Sequence, residues 1–141
     1  MFITKASRHD KSDIQTFLEN EWPHEEFNVD RGTAFIAREG AVVGHARLIE
    51  VAPQTLVVEE VVVKEDKRRQ GIGSRLMEAA MNNKGGKLFL CCHEEHIPFY
   101  EKFGFSARPF EELPEEVQQH HRSEGDHPTE EGHVHFFMTA R

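Results

Sequence analysis

Apolar residues near the start of the chain recur at intervals of three and four, at Ile14, Phe17, Leu18 and Trp22. This spacing places them on one face of a helix, which we expect over Ser12–Trp22. Ser12 and Gln15 have the three-residue separation of a capping box, in which two side chains bond the backbone at a helix start. The pattern therefore predicts an amphipathic first helix that packs through one face.

Three apolar segments with short turns between them follow this helix. Thr33–Arg38 and Ala41–Val51 are separated by Glu39-Gly40 alone, as in a tight hairpin. A second turn at Pro53-Gln54 leads into the valine-rich segment Thr55–Val63. Because its apolar residues are continuous rather than alternating, we expect this third strand to be covered on both faces.

A helix and another strand come next, at a separation typical of a parallel crossover. Gln70–Asn83 has helical periodicity and ends in the polar, glycine-containing segment Asn82–Gly86. Lys87–Cys92 is a second buried strand. Since a strand–helix–strand unit of this length forms a right-handed crossover, Thr55–Val63 and Lys87–Cys92 are predicted to pair in parallel.

The last third of the chain predicts short elements. A helix over Ile97–Phe103 has Pro98 in its first turn and Gly104 as its left-handed end. We also expect a short helix near Pro114–His121 and strands over Phe105–Phe110 and His133–Ala140. Hairpins followed by a parallel unit predict an α/β (α+β) fold with one central mixed, mostly antiparallel sheet and helices on both faces.

Composition narrows the class of protein. The 141 residues fit one domain, over residues 1–141, and contain neither a run of 18 apolar residues nor a secretory signal pattern. The net charge of −8 argues against nucleic acid as a partner. Cys91 and Cys92 are adjacent, so they cannot form an ordinary framework disulfide with each other. These features predict a cytoplasmic protein with neither a membrane nor a nucleic-acid partner.

The histidine-containing end of the chain offers no obvious metal motif. Glu111–Glu131 is strongly acidic, and we interpret it as a solvated loop around a short helix. The histidines here fit no closed zinc spacing and no cysteine accompanies them in sequence, so we expect no metal site. They are His120, His121, His127, His133 and His135.

The segment between the two parallel strands suggests phosphate binding. Gly71 and Gly73 open the predicted helix, where unpaired N–H groups and the positive end of the helix dipole favour anions. Five cations lie in or beside this turn, namely Lys64, Lys67, Arg68, Arg69 and Arg75. The alternative interpretation is a plain helix start behind a solvated basic turn.

Two ordered blocks resemble one family. Arg68-Arg69-Gln70-Gly71-Ile72-Gly73 matches the (Gln/Arg)-x-x-Gly-x-(Gly/Ala) signature of the GNAT superfamily of acetyl-CoA-dependent N-acetyltransferases. About 30 residues later, His96–Phe105 resembles the family's second block, in which Phe-Tyr-Glu-Lys leads into Gly-Phe. Glu131–Met138 is similar to the Gly-Ile-Pro-His-x-x-Met ending of an ElaA-like bacterial branch, with His133 and Val134 in place of Ile-Pro.

The resemblance implies that acetyl-CoA binds where Thr55–Val63 and Lys87–Cys92 splay apart. Backbone groups of the first of these strands would then pair with the pantetheine arm, and amides of the following turn would hold the pyrophosphate. His93 and His96 would contact the pantetheine or the leaving sulfur, although either could instead cap the short helix. The implied binding residues are Val61, Val62, Val63, Arg68, Arg69, Gln70, Gly71, Ile72, Gly73, Ser74, His93, His96 and Tyr100.

The same resemblance implies direct attack by an amine on the thioester, which needs a base and an acid. Glu59 and Glu60 interrupt an apolar strand, and adjacent strand residues face opposite sides unless a bulge intervenes. Glu59 is the favoured base; the alternative, above all for Glu60, is a glutamate that lies on an exposed edge or forms an ion pair with Arg47. Tyr100 would protonate the thiolate, or it is a core aromatic residue. The cysteines are expected to be buried strand residues rather than nucleophiles.

The acceptor is the least defined part of this expectation. By resemblance, its site would be built from Trp22–Arg31, Arg47 and the acidic stretch Glu111–Glu131, so a small, cationic primary amine is preferred. A protein acceptor, a non-catalytic acyl-CoA sensor and an acidic interaction module are the alternatives. Assembly as a homodimer is also compatible with the resemblance.

Overall fold

The structure, a computed structural model, describes residues 1–126, 129–130 and 133–141. Its strands are β1 (Phe2–Lys5), β2 (Thr33–Glu39), β3 (Ala41–Ala52), β4 (Thr55–Val63), β5 (Lys87–Cys92), β6 (Ser106–Arg108), β7 (Thr129–Glu130), β8 (His133–Val134) and β9 (Phe136–Ala140). Its α-helices are α1 (Lys11–Glu21), α2 (Ile72–Asn83), α3 (Ile97–Glu101) and α4 (Glu115–Ser123).

Seven of these strands form one mixed sheet in the order β1-β2-β3-β4-β5-β9-β6. The β4–β5 pair is parallel, whereas β1–β2, β2–β3, β5–β9 and β6–β9 are antiparallel. The predicted α/β fold with a mixed, mostly antiparallel sheet and one parallel strand–helix–strand unit is therefore confirmed. β4 and β5 have the predicted bounds, because each is an apolar run closed at both ends by polar turn residues.

The chain divides into two compact units. The first unit contains Met1–Ile49 and Glu60–Lys84, and the second contains Glu50–Glu59 and Gly85–Arg141. In the first unit, the apolar face of α1 packs on the sheet with Trp22 at its margin, as the periodicity predicted. The buried cluster consists of Ile14, Phe17, Leu18, Ala34, Ile36, Val42 and Val62.

The predicted capping box at Ser12 and Gln15 is wrong. A capping box forms instead at Ser7, whose Oγ accepts from the His9 N–H at 3.2 Å and whose N–H donates to Asp10 Oδ2 at 2.8 Å. It precedes a 3₁₀ turn over Arg8–Asp10 that leads directly into α1. Gln15 already lies inside the helix, where its amide donates to Glu19 one turn later at 2.6 Å.

The second unit has its own core around β5. Val57, Phe89, Leu113, Val117 and Phe137 form its buried cluster, in which α4 covers the sheet. β6 is shorter than the predicted Phe105–Phe110, because Pro109 has no N–H for a ladder and a 3₁₀ turn over Phe110–Glu112 follows.

The predicted final strand His133–Ala140 is divided into two. β8 pairs with β7, and β9 pairs with β5 and β6, so His135 lies between two strands rather than within one. His127, Glu131 and Gly132, which belong to the predicted acidic loop and chain ending, lie outside the described residues. Within the described ranges, the helices are all too short or too polar to cross a bilayer.

Candidate active site

The parallel pairing at the centre of the sheet is short. It runs from Thr55 opposite Lys87 to Val57 opposite Phe89, and the register ends there. In the second unit, β4 continues beyond this point through Val58 and Glu59. The end of the register agrees with the splay predicted from the resemblance, and Glu59 lies directly after it.

Glu60 breaks the regular course of β4. Its φ of +51° lies in the left-handed region, which a β-strand residue other than glycine rarely adopts. Such an irregularity disturbs the alternation of side chains along a strand. The sequence could not predict it, because Glu59-Glu60 contains neither glycine nor asparagine.

The side chain of Glu60 belongs to a buried polar network in the first unit. Arg47 Nε donates to Glu60 Oε1 at 2.8 Å, and Arg47 Nη1 donates to the Arg31 carbonyl at 2.7 Å. The Arg47 side chain is 1% exposed and that of Glu60 is 15% exposed. Because a charge so deeply buried needs a partner, the Glu60 carboxylate serves as the counter-ion of Arg47.

His45 completes this network and its tautomer follows from its partners. Nδ1 lies 2.7 Å from the Glu60 carbonyl, which can only accept, so Nδ1 carries the proton. Nε2 then accepts from Arg47 Nη2 at 3.2 Å. Burial lowers the pKa of His45 to about 4, since the charged ring would lose its hydration and would lie beside Arg47.

Sequence reasoning did not single out His45, although a signal was present. His45 and Arg47 stand two residues apart in the otherwise apolar β3, so they share one face of a buried strand. Polar residues at such a spacing indicate a satisfied network or a site.

Glu59 has a different partner, in the second unit. Its Oε1 contacts Nε2 of His120 on α4, and both side chains are mostly buried. Glu124, one turn further along α4, places Oε1 3.9 Å from the same His120 nitrogen. The two adjacent glutamates therefore take separate partners, Glu60 an arginine and Glu59 a histidine that the sequence analysis had assigned to a solvated region.

The segment after β4 forms the predicted turn into a helix. Arg68 Nε donates to the Val63 carbonyl at 2.9 Å, which ties the turn to the strand end. Arg69 and Gly71 have φ of +65° and +79°, and α2 begins at Ile72 rather than at the predicted Gln70. The left-handed Gly71 is the reason, because it stands as N-cap immediately before the first helical residue.

This turn combines unpaired amides with positive charge. The N–H groups of the first turn of α2 have no acceptor within the helix, as at any helix start. Lys64 and Arg68 each expose more than half of the side chain, and their acidic neighbours are 3.9 Å away. Lys67 is more closely held, at 2.9 Å from Glu39. Charge and backbone geometry here suit a phosphate group.

Tyr100 lies on α3 within an aromatic cluster. Its ring meets Phe99 and Phe105 edge to face, with centroids 5.1 and 6.0 Å away. Burial is the main cause that raises its pKa above the ordinary value of a phenol, and the nearby Cys92 thiol adds to it. The hydroxyl group therefore keeps its proton throughout the neutral range.

The other predicted contacts of this unit lie around the end of β5. His93 is exposed and its ring stacks on that of His135, with centroids 5.2 Å apart, while His96 is exposed beside Glu95. Cys92 is buried, and burial raises the pKa of its thiol to about 11. A thiol held in this state is a poor nucleophile, in agreement with the expected core role of Cys92, whereas Cys91 is half-buried rather than buried as expected.

The first unit also contains a cavity of about 250 Å³ between the start of α1 and the sheet. Asp30, three exposed or half-exposed cations and the buried Arg47 line it. The cations are Lys5, Arg8 and Lys11, of which Lys11 pairs with Asp30. The cavity is therefore lined by charges of both signs, of which Asp30 and Lys11 pair with each other.

Comparisons with known proteins agree with this architecture. A family model described as acetyltransferase (GNAT) domain matches residues 30–107, which is more than half of the chain and includes β4, the turn, α2 and α3.

Solved structures share the fold at low sequence identity. Escherichia coli ElaA has a TM-score of 0.73 at 15% identity, and the match covers 100% of both chains. A protein described as "IAA acetyltransferase" from Bacillus cereus has a TM-score of 0.66 at 20% identity, covering 99% of this chain and 97% of that one. N-acetylglutamate synthase from Neisseria gonorrhoeae, complexed with coenzyme A and N-acetyl-glutamate, has a TM-score of 0.72 at 18% identity. This match covers 100% of the present chain, which spans only 35% of the synthase chain.

Proposed function

The chain belongs to the acetyltransferase (GNAT) family, and on this premise we propose that it transfers an acetyl group from acetyl-CoA to a primary amine of a small acceptor. The observation that carries the proposal is the turn after β4. There the family's glycine signature coincides with a left-handed Gly71, a helix start at Ile72 and a cluster of exposed cations.

In this proposal acetyl-CoA is a co-substrate that binds along β4 and the turn. Amides from Arg68 to Ser74 hold its pyrophosphate, with the side chains of Arg68 and Arg69 beside it. Backbone groups of Val61, Val62 and Val63 pair with the pantetheine arm as an added strand would. The short parallel register, which ends at Val57, supports this placement. His93 and His96 remain candidates for polar contacts with the thioester end.

Glu59, together with His120, is the base. An alkylamine with an ordinary pKa near 10.4 is protonated at neutral pH, so its proton must leave before the nitrogen can attack. Glu59 is suited to this role because its partner is an imidazole that can itself take up a proton. Glu60 is less suited, since its carboxylate already neutralises the buried Arg47.

Tyr100 is the acid. The amine nitrogen forms a bond to the thioester carbonyl carbon, the carbon–sulfur bond breaks, and CoA departs as a thiolate. Tyr100 donates its phenolic proton to that sulfur and regains a proton from solvent. The hydroxyl group carries its proton at the start of every turnover, as this role requires, while burial, which raises its pKa, makes it a weaker acid than an exposed phenol.

The cavity in the first unit refines the acceptor class. Lys5 and Arg8 can pair with a carboxylate, and an ammonium group that displaces Lys11 can pair with Asp30. This lining favours a small zwitterion of the amino-acid type over a purely cationic polyamine or amino sugar. The N. gonorrhoeae synthase structure contains N-acetyl-glutamate, which is an acetylated amino acid, and this supports an acceptor of the amino-acid type.

The experiment follows free CoA thiol when the protein is mixed with acetyl-CoA and single primary amines. The panel contains amino acids, polyamines, amino sugars and peptides. We expect turnover with at least one amino acid, and a loss of about 100-fold in kcat for Glu59→Gln at unchanged acetyl-CoA affinity. Glu60→Gln is the matched control, compared per folded molecule. Tight acetyl-CoA binding without turnover on any amine would identify a sensor instead, and turnover with peptides alone would identify a protein acetyltransferase.

A further inference from the structure

Three chemically different metal-ligand side chains meet in the second unit. They are Cys91 on β5, Asp126 after the end of α4 and His135 just before β9. One donor atom from each lies within 4.8 Å of the other two. The sequence analysis expected no metal site because no cysteine stands near the histidines in the chain, but the fold brings Cys91 to His135 across 44 positions of sequence.

The antiparallel register of β5 and β9 explains this meeting. Cys91 lies opposite Phe137 and Cys92 opposite Phe136. Continued by one residue, the register sets His93 against His135, and their rings indeed stack at 5.2 Å with an interplanar angle of 13°. Cys91 and His135 are thus diagonal neighbours on one face of the sheet, a distance that side chains readily bridge. Cys92 points to the other face, where its Sγ contacts Met138.

A buried histidine, His121, lies next to Asp126. His121 is 1% exposed, and its Nδ1 lies 3.8 Å from Asp126 Oδ2. The His121 carbonyl also accepts from the Asp126 N–H at 2.9 Å. Among the described residues, His121 Nε2 has no hydrogen-bond partner. The backbone hydrogen bond fixes the position of Asp126 next to a buried imidazole, and ligating carboxylates are commonly surrounded by such polar groups.

We propose that Cys91, Asp126 and His135 bind a divalent transition-metal ion of the Zn²⁺ class. A thiolate, an imidazole and a carboxylate form a donor set that suits Zn²⁺ and disfavours Mg²⁺ and Ca²⁺, which prefer oxygen ligands alone. Tetrahedral bonds of about 2.0–2.3 Å set ligand atoms about 3.5 Å apart. The three donors, which lie within 4.8 Å of one another without an ion, would close to that separation on binding. On binding, the Cys91 thiol loses its proton to solvent and its sulfur bonds the ion.

The ion would connect β5, the start of β9 and the segment after α4. Three protein ligands leave a fourth position, which a water molecule can fill. Stability of the second unit is then linked to the concentration of the metal. This proposal does not depend on acetyl transfer.

A second set of candidate ligands, Glu59, His120 and Glu124, lies elsewhere in the same unit. It contains no sulfur, and its Glu59–His120 contact already belongs to the proposed base. The thiolate therefore distinguishes the two sets, because sulfur bonded to Co²⁺ gives a charge-transfer absorption that oxygen and nitrogen ligands do not give.

The test uses the full chain without a histidine tag, freed of metal by a chelator and titrated with Co²⁺. We expect one equivalent to bind with near-ultraviolet thiolate charge transfer and the intense visible bands of tetrahedral cobalt, and one equivalent of Zn²⁺ to abolish both. Cys91→Ala must lose the charge-transfer band, and Asp126→Asn and His135→Gln must weaken binding at least tenfold, with circular dichroism confirming that each variant folds. Cys92→Ala and His96→Gln are the matched controls and should bind normally.

Several results would overturn the proposal. The first is Co²⁺ binding without thiolate charge transfer. The second is a charge-transfer band that survives in Cys91→Ala or vanishes in Cys92→Ala. The third is Co²⁺ binding that is lost in Glu124→Gln but not in His135→Gln. Should Cys91→Ala fail to fold, the Asp126 and His135 variants still decide between the two sets of ligands.

Discussion

The guanidinium of Arg47 donates to the carboxylate of Glu60 at 2.8 Å, with the Arg47 side chain almost fully buried in the first unit. Glu60 itself has a left-handed backbone conformation within β4. The neighbouring Glu59 contacts His120 instead. Two adjacent glutamates of one strand thus have distinct partners: Glu60 compensates the buried charge of Arg47, and Glu59, proposed as the base, contacts a histidine.

Glu60→Gln should destabilise the protein strongly. It leaves the buried Arg47 charge without its counter-ion, and removal of one partner of such a pair costs about 3 kcal/mol or more of unfolding free energy. Urea denaturation followed by circular dichroism measures this loss. The double variant Arg47→Met with Glu60→Leu should recover much of it, because both charges are then absent. Equal stability of wild type and Glu60→Gln would show that the pair is not buried as described.

Tyr100→Phe should lower kcat by about 100-fold and leave the affinity for acetyl-CoA within a factor of two to three, since it removes only the proton donor. The ring contacts with Phe99 and Phe105 do not involve the hydroxyl group, so the melting temperature should change little. Steady-state kinetics measures kcat, and calorimetric titration measures the affinity for acetyl-CoA. An unchanged kcat would remove Tyr100 from the mechanism.

Gly71→Val should abolish acetyl-CoA binding, and Gly40→Val should not. Both glycines have a left-handed φ, +79° and +75°, and a Cβ at either would meet no atom within 4 Å. The two substitutions therefore share a conformational cost of about 1–2 kcal/mol. Only Gly71 lies in the proposed pyrophosphate turn, so calorimetric titration separates ligand contact from backbone strain. Equal loss of affinity in both variants would assign the effect to strain alone.

Acid should destabilise the protein partly through His45. Burial lowers its pKa in the folded state to about 4, whereas the unfolded chain has the ordinary value of 6.5. The unfolded state therefore binds more protons between these values, and the stability present above pH 6.5 falls as the pH approaches 4. The difference corresponds to about 3 kcal/mol. Urea denaturation across this window should show a shallower slope for His45→Gln than for wild type, with exposed His24→Gln as control. Identical slopes in all three proteins would contradict the assignment.

The hydrophobic pattern alone predicts the strands that are mostly apolar along their whole length. β4 and β5 are apolar runs between polar turns, and their bounds and parallel pairing follow from composition and connection length. The start of α1 cannot be predicted in this way, because Ser7–Asp10 and Ser12–Gln15 both have the spacing of a capping box. Only the 3₁₀ turn over Arg8–Asp10 decides between them. The last strand is divided by pairing with β7, a contact that periodicity cannot reveal.

The candidate site is less accessible to sequence reasoning, since its contacts join distant parts of the chain. Glu59 and Tyr100 could be nominated from chain position and resemblance, but the His120 partner of Glu59 lies 61 residues away in a segment whose composition indicates solvent exposure. Likewise, Cys91 and His135 meet only because β9 returns beside β5. Such pairs depend on strand order, which the hydrophobic pattern leaves open.

Thermal unfolding with and without acetyl-CoA tests the central claim most directly. A ligand present at 100 times its dissociation constant stabilises the folded state by about 2.7 kcal/mol, which raises the melting temperature of a domain of this size by several degrees. Sodium chloride at equal ionic strength controls for general salt effects. We predict a rise of several degrees with millimolar acetyl-CoA that is absent in Gly71→Val. The same melting temperature with and without acetyl-CoA in the wild-type protein would contradict the proposed function, because the turn after β4 would then be only the start of a helix.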